Sequence, residues 1–192
     1  MRLFVAIDIA EATRGALARL IQQLRPACPG ARWVRVGGLH VTLKFIGEAA
    51  EEKRAGIEAA LSAARTGAGP APVELNFRGM GFFPGERRPR VLWAGIEATA
   101  NLAELAAQIE ARLEPLGLPR ESREFHPHLT LARFDSPQGL AQLHAMIAKL
   151  RETPGALDFG RAMAREFHLY RSELERGGAV YTRLASFPVE AR

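Results

Sequence analysis

Two short stretches of this sequence hold the same polar pair at the same spacing: His40-Val41-Thr42-Leu43 and His128-Leu129-Thr130-Leu131. Apolar residues flank each pair as in a β-strand, whose side chains alternate faces with period two. His and Thr of each motif then point one way, while Val41, Leu43, Leu129 and Leu131 point the other, toward a core. Imidazole titrates near neutrality, so one copy can take a proton as neutral base while another gives one as imidazolium. Two such groups flanking a phosphodiester supply what in-line displacement at phosphorus requires. One serves the attacking oxygen and the other the leaving oxygen. Threonine hydroxyls can donate to the non-bridging oxygens without adding charge beside the histidines, and donors of this kind need no metal. A single His-x-Thr in a strand is usually structural, so the reading turns on whether the two copies are equivalent.

They are equivalent in sequence. Shifting the chain by 88 residues lays residues 2–48 over 90–136 without a gap. Arg2 falls on Arg90, Ala6 on Ala94, Leu17 on Leu105, Ile21 on Ile109, Arg32 on Arg120 and Arg35 on Arg123. Then His40 falls on His128, Thr42 on Thr130 and Leu43 on Leu131. The Ala and Arg matches are cheap in a chain rich in both, but the chain has only five histidines. The expectation is one domain, residues 1–192, made of two related lobes at roughly 2–89 and 90–192. A pseudo-two-fold packing of those lobes would bring the imidazoles and hydroxyls to one cleft from opposite sides.

The elements that must position these residues follow from pattern. Short runs rich in β-branched and aromatic residues, bounded by Gly or Pro, predict strands at Leu3–Ile9, Trp33–Val36, Leu39–Ile46, Val73–Phe77, Arg90–Ile96, His128–Phe134, Glu166–Tyr170 and Val180–Ser186. Four helical stripes lie between them. The first carries Leu17, Leu20, Ile21 and Leu24, and the second spans about Glu51–Arg65 with Ile57 and Leu61 on one face. The third opens at Asn101 with Glu104 in capping-box register, and the fourth opens at Ser136-Pro137. Loops are expected at Gly67–Pro72, Pro84–Pro89 and Thr153–Gly155, none long enough to link independent domains.

Composition narrows the class. The chain has 192 residues, 47% hydrophobic and 24% charged, which excludes wholesale disorder and collagen-like structure. Cys28 is the single cysteine, so neither an intramolecular disulfide nor a thiolate zinc cage can form. No apolar run approaches the ~20 residues that span a bilayer. Asp8 and Glu11 cut the opening apolar stretch too short for a signal peptide, so a cytoplasmic location and no membrane partner are expected. The net charge of +5 suits a polyanionic partner, nucleic acid or a phosphorylated metabolite.

With its paired His-x-Thr motifs the sequence resembles the two-histidine (2H) phosphoesterase superfamily, and within it the RNA 2′,3′-cyclic phosphodiesterase (2′-5′ RNA ligase) family. The resemblance covers essentially the whole chain. It rests on Arg2-Leu3-Phe4-Val5-Ala6-Ile7, on Leu39-His40-Val41-Thr42-Leu43-Lys44-Phe45-Ile46-Gly47 and on Phe125-His126-Pro127-His128-Leu129-Thr130-Leu131-Ala132-Arg133. It implies a bilobal α+β fold, two pseudo-symmetric lobes each with an antiparallel sheet and flanking helices, and a cleft between the sheets. It implies hydrolysis of RNA 2′,3′-cyclic phosphate ends to 2′-phosphomonoesters without metal or other cofactor, together with ATP-independent 2′-5′ RNA ligation. By family analogy His40 is the proton donor and His128 the proton acceptor, with Thr42, Thr130 and Arg133 binding the phosphate. The partners implied are RNA with a cyclic end or a 2′-5′ linkage, tRNA fragments among them; a monomer is expected by default, since no repeat edge or coiled-coil pattern demands a partner. Two alternatives stay open: a cyclic phosphodiesterase for another small substrate, and a nucleotide- or RNA-binding module of the same fold without turnover.

Strict alternation sets further expectations along the motif strands. It places Lys44 on the His40 face, where it could meet RNA phosphates. It places Phe45 in the core, and it turns Arg133 away from His128 unless a bulge or twist intervenes. His126-Pro127-His128 has too few neighbouring ligands for a closed zinc site, and His144 and His168 read as bystanders. Arg87, Arg88 and Arg90 form a candidate RNA-contacting patch, with Phe82-Phe83-Pro84 beside it as a stacking surface or as core.

Overall fold

The computed structural model describes residues 1–67, 72–175 and 178–189. Nine strands and four α-helices alternate along it: β1 (Arg2–Asp8), α1 (Glu11–Leu24), β2 (Arg32–Trp33), β3 (His40–Glu48), α2 (Arg54–Gly67), β4 (Val73–Phe83), β5 (Val91–Ala98), α3 (Ala100–Leu113), β6 (His128–Arg133), α4 (Leu140–Glu152), β7 (Asp158–Ala164), β8 (Glu166–Glu175) and β9 (Gly178–Pro188). The strands form two antiparallel sheets, one of four strands in the order β3-β1-β8-β9 and one of five in the order β2-β6-β5-β4-β7. The fold is α+β, as the family resemblance implies. Among the described residues no helix is long and apolar enough to cross a membrane.

Each sheet turns one face to the main core, and the four-stranded sheet buries Phe4, Ala6 and Tyr170 on its other face. In β1, Leu3, Val5 and Ile7 enter the main core, and in β3, Val41 and Leu43 join them. In the other sheet Leu129 and Leu131 of β6 play the same part, beside Leu92 and Ala94 of β5. The helices cover these faces with the predicted stripes. Leu17, Leu20, Ile21 and Leu24 of α1 are all buried, as are Leu102, Leu105, Ile109 and Leu113 of α3. The helices cross over between sheets: α1 packs on β7 of the five-stranded sheet, and α3 packs on β3 of the four-stranded one.

The sheets also interleave the sequence repeat. The four-stranded sheet joins β1 and β3 to β8 and β9 from the far end of the chain, and β4 pairs with β5 and β7 in the other sheet. The β2 segment is shorter than the alternation suggests, because Val36–Gly38 turns into a 3-10 helix just before β3. Strand β7 was not expected: Asp158-Phe159-Gly160-Arg161-Ala162-Met163-Ala164 lacks β-branched residues and earns its place as an edge against β4. Two helix starts differ from expectation. Helix α3 begins at Ala100, after Thr99, whose hydroxyl donates to Asn101 Oδ1 at 2.6 Å, while the Asn101 amide reaches Pro72 O at 3.0 Å. Helix α4 begins at Leu140, after Gly139 in the left-handed region, so Ser136 and Pro137 sit in the preceding turn. Residues 68–71 of the loop expected at Gly67–Pro72 lie outside the described residues.

Candidate active site

The two motif strands meet where the sheets abut: β3 is the edge of the four-stranded sheet and packs against β6. Register fixes which side chains share the faces turned away from the main core. On the four-stranded sheet Asp8 lies opposite His40, Ala6 opposite Thr42 and Phe4 opposite Phe45. Phe4 in turn lies opposite Tyr170, and Tyr170 opposite Arg183. On the five-stranded sheet Gly95 lies opposite His128, Trp93 opposite Thr130 and Val91 opposite Arg133. His40, Thr42, His128 and Thr130 are all half-buried on these surfaces.

The two strands are built alike in one further respect. Both carry a register shift after the motif, so that Leu43 and Leu131 are each inserted residues facing the core. The shift reverses the alternation beyond it, and residues 40–45 and 128–133 show the same burial sequence. Arg133 therefore shares the face of His128. Lys44 does not share the face of His40: it is only 4% exposed, and its ammonium meets Glu110 Oε2 of α3 at 2.6 Å and Pro119 O at 2.8 Å. The expected phosphate contact by Lys44 is thus corrected to a buried ion pair. Phe45, expected in the core, is 58% exposed, its ring 6.2 Å from Phe4.

Both imidazoles are held in the same way. His40 Nδ1 is 2.7 Å from the carbonyl of Gly38, and His128 Nδ1 is 2.8 Å from the carbonyl of His126. A carbonyl only accepts, so each Nδ1 carries the proton and each Nε2 is left as the reactive nitrogen. It is the backbone of His126 that serves here; its own exposed ring lies 3.7 Å from Glu124. Aromatic rings fix the imidazole planes. Phe4 stacks on His40 at 4.7 Å and Tyr181 meets it edge-on at 5.2 Å, while Phe83 meets His128 edge-on at 5.0 Å. Phe83 packs on Trp93 at 5.2 Å, and Gly81 beneath makes room, since a Cβ there would sit inside the indole. Phe83 therefore stands beside His128, whereas Phe82 is buried in the core.

Burial pushes the pKa of both histidines below the ordinary value. At His40 the Gly38 hydrogen bond and the Asp8 carboxylate oppose the shift, and Arg14 adds to it. At His128 the His126 hydrogen bond opposes it, while Arg133 and His126 both add to it. Asp8 is itself held by the Arg183 guanidinium and by the Tyr170 hydroxyl, which donates to Oδ1 at 2.6 Å. Burial, then the Asp8 hydrogen bond, pushes the Tyr170 phenol up to about 12. His168, expected as a bystander, is buried behind this group, with Nδ1 2.9 Å from Ser186 Oγ and Nε2 3.7 Å from Asp8. His144 lies on α4, edge-on to Phe82. Arg87, Arg88 and Arg90 are exposed between β4 and β5. Among the described residues no group of three or more His, Cys, Asp or Glu side chains could hold a metal ion.

Known proteins resemble the chain in sequence and in fold. The profile of the 2′-5′ RNA ligase superfamily matches residues 13–175. A curated relative from Archaeoglobus fulgidus, named RNA 2′,3′-cyclic phosphodiesterase, is 33% identical over 97% of this chain and 99% of its own. The crystal structure of TT0787 from Thermus thermophilus superposes with a TM-score of 0.78 at 33% identity, covering 98% of each chain. E. coli LigT complexed with 3′-AMP superposes with a TM-score of 0.70 at 28% identity, covering 97% of each.

Proposed function

The chain belongs to the 2′-5′ RNA ligase superfamily, and from that premise we propose that it hydrolyses RNA 2′,3′-cyclic phosphate ends to 2′-phosphomonoesters, with His40 and His128 as the acid and base. The observation that carries this reading is the duplicated anchor, two imidazoles on equivalent strands with Nδ1 bound to the backbone and Nε2 left for chemistry. His128 Nε2 takes a proton from water as the water oxygen attacks phosphorus. The bond from phosphorus to the 3′-oxygen breaks, and His40 Nε2–H protonates that oxygen as it leaves. Thr42, Thr130 and Arg133 bind the non-bridging oxygens, on which negative charge builds in the transition state. The charges around the two rings support the assignment of roles. Burial lowers both rings, but at His40 the Asp8 carboxylate works against it and against Arg14, whereas at His128 Arg133 and His126 add to it and favour the neutral base. With a 5′-hydroxyl in place of water the same displacement would yield a 2′-5′ linkage, which is how ligation would share the site.

No step in this scheme passes through a metal, so the first test is run in EDTA. The substrate is an RNA oligonucleotide with a 2′,3′-cyclic end, given to the wild type and to His40→Ala and His128→Ala. The expected product is a 2′-monoester, at a rate unchanged by EDTA and lowered at least about 10²-fold in each variant. A 3′-monoester, or loss of activity in EDTA, would overturn the scheme. Binding without turnover by the wild type would favour the binding-module reading.

A further inference from the structure

On the side of His40 away from β6, the four-stranded sheet carries a cavity of about 330 Å³. That is within the roughly 300–1,000 Å³ that hold small ligands. His40, the proposed acid, and Asp8 stand at its edge, while the rest of its lining extends beyond what the proposed hydrolysis of one cyclic phosphate uses. The cavity is nonetheless furnished. Phe4 and Tyr170 stack on one another at 5.2 Å and form an apolar floor. Tyr181 stands edge-on to Phe4 at 5.0 Å and keeps 36% of its surface exposed. It can approach so closely because residue 38 is glycine, where a Cβ would lie 3.1 Å from Tyr181 Cε2.

Two guanidiniums line the same cavity. Arg14 donates to Val36 O at 2.7 Å and pairs through Nε with the exposed Glu11 at 3.4 Å, and Arg183 is anchored on Asp8 and on the Tyr170 hydroxyl at 3.3 Å. With Asp8 the one carboxylate among the described lining residues, the lining is net positive. An exposed aromatic ring beside fixed arginines is the chemistry by which proteins hold single-stranded nucleic acid: the base stacks and the phosphate pairs. We propose that this cavity is a subsite for the second nucleotide of the RNA, the one whose 3′-phosphate joins the 5′-oxygen of the nucleotide bearing the cyclic end. Its base stacks on Tyr181, and the linking phosphate lies beside Arg14 and Arg183. The inference rests on reading the site as one for RNA ends, and adds that the protein recognises a strand rather than a mononucleotide.

The test compares a nucleoside with a dinucleotide, in binding and in turnover. Calorimetry measures the affinity for a nucleoside 2′-phosphate and for a dinucleotide ending in the same 2′-phosphate. The matching 2′,3′-cyclic phosphates give kcat/KM. The wild type is expected to favour the dinucleotide at least about tenfold in both. Tyr181→Ala should erase that ratio, Tyr181→Phe should keep it and Arg14→Gln should reduce it; the ratio cancels any general loss shared by both ligands. Equal affinities in the wild type, or a ratio that survives Tyr181→Ala, would overturn the subsite. If Tyr181→Ala fails to fold, the Tyr181→Phe and Arg14→Gln ratios decide. A preference in binding without turnover of either cyclic phosphate would leave the subsite standing and remove the hydrolysis reading.

Discussion

Burial is the largest influence on both imidazoles, and it acts in the same direction on each. The proposed acid works only while protonated and the base only while neutral, so kcat/KM of the free enzyme follows a bell bounded by the two histidines. Both limits are displaced downward from about 6.5, so the optimum should lie on the acid side of that value. A pH series with a dinucleotide ending in a 2′,3′-cyclic phosphate checks this, and an optimum at or above about 6.5 would show that burial does not control the pair. At this scale the sequence was readable where it repeats itself. His40, Thr42, His128 and Thr130 stand out because one polar pair recurs at one offset. Asp8, Tyr170 and Arg183 gave no such signal: the Tyr170–Asp8 and Arg183–Asp8 contacts span 162 and 175 residues of chain, and only strand register brings them together.

Among the elements, the paired bulges do most to shape the site. An inserted leucine looks like any other strand residue, so period-two counting ran through Leu43 and Leu131 and assigned Lys44 and Phe45 to the wrong faces. The bulge turns Lys44 inward, against a Glu110 carboxylate that is itself mostly buried and also accepts from the Glu121 amide at 3.3 Å. Removing the lysine strands that carboxylate. Lys44→Met should therefore cost about 3–5 kcal/mol, and the double variant Lys44→Met/Glu110→Leu should recover most of the loss. Urea unfolding of the three proteins measures it, and a Lys44→Met protein as stable as wild type would refute the buried pair. The helices were legible because four stripes of leucine and isoleucine keep the 3.6 period. Strand β7 was not, because its order comes from its neighbour β4 rather than from its own residue types.

Across the whole molecule the repeat seen in sequence and the units seen in space are cut differently. Each half of the sequence lends strands to both sheets, and the helices α1 and α3 pack on the sheet they do not follow from. A chain divided after residue 89 would leave β1 without β8 and β4 without β5 and β7. Each fragment alone is expected to lack a cooperative thermal transition, which circular dichroism would show. Two independently melting halves would instead mean that the repeats fold by themselves. The same weave bears on how the protein comes into being. A ribosome delivers β1 and β3 first, yet β8 and β9, which complete their sheet, are made last. The strands from β4 to β7 emerge as one uninterrupted stretch and can pair while synthesis continues. The strand that carries His128 thus has its sheet neighbours early, whereas the sheet that carries His40 is completed only once β9 has been made.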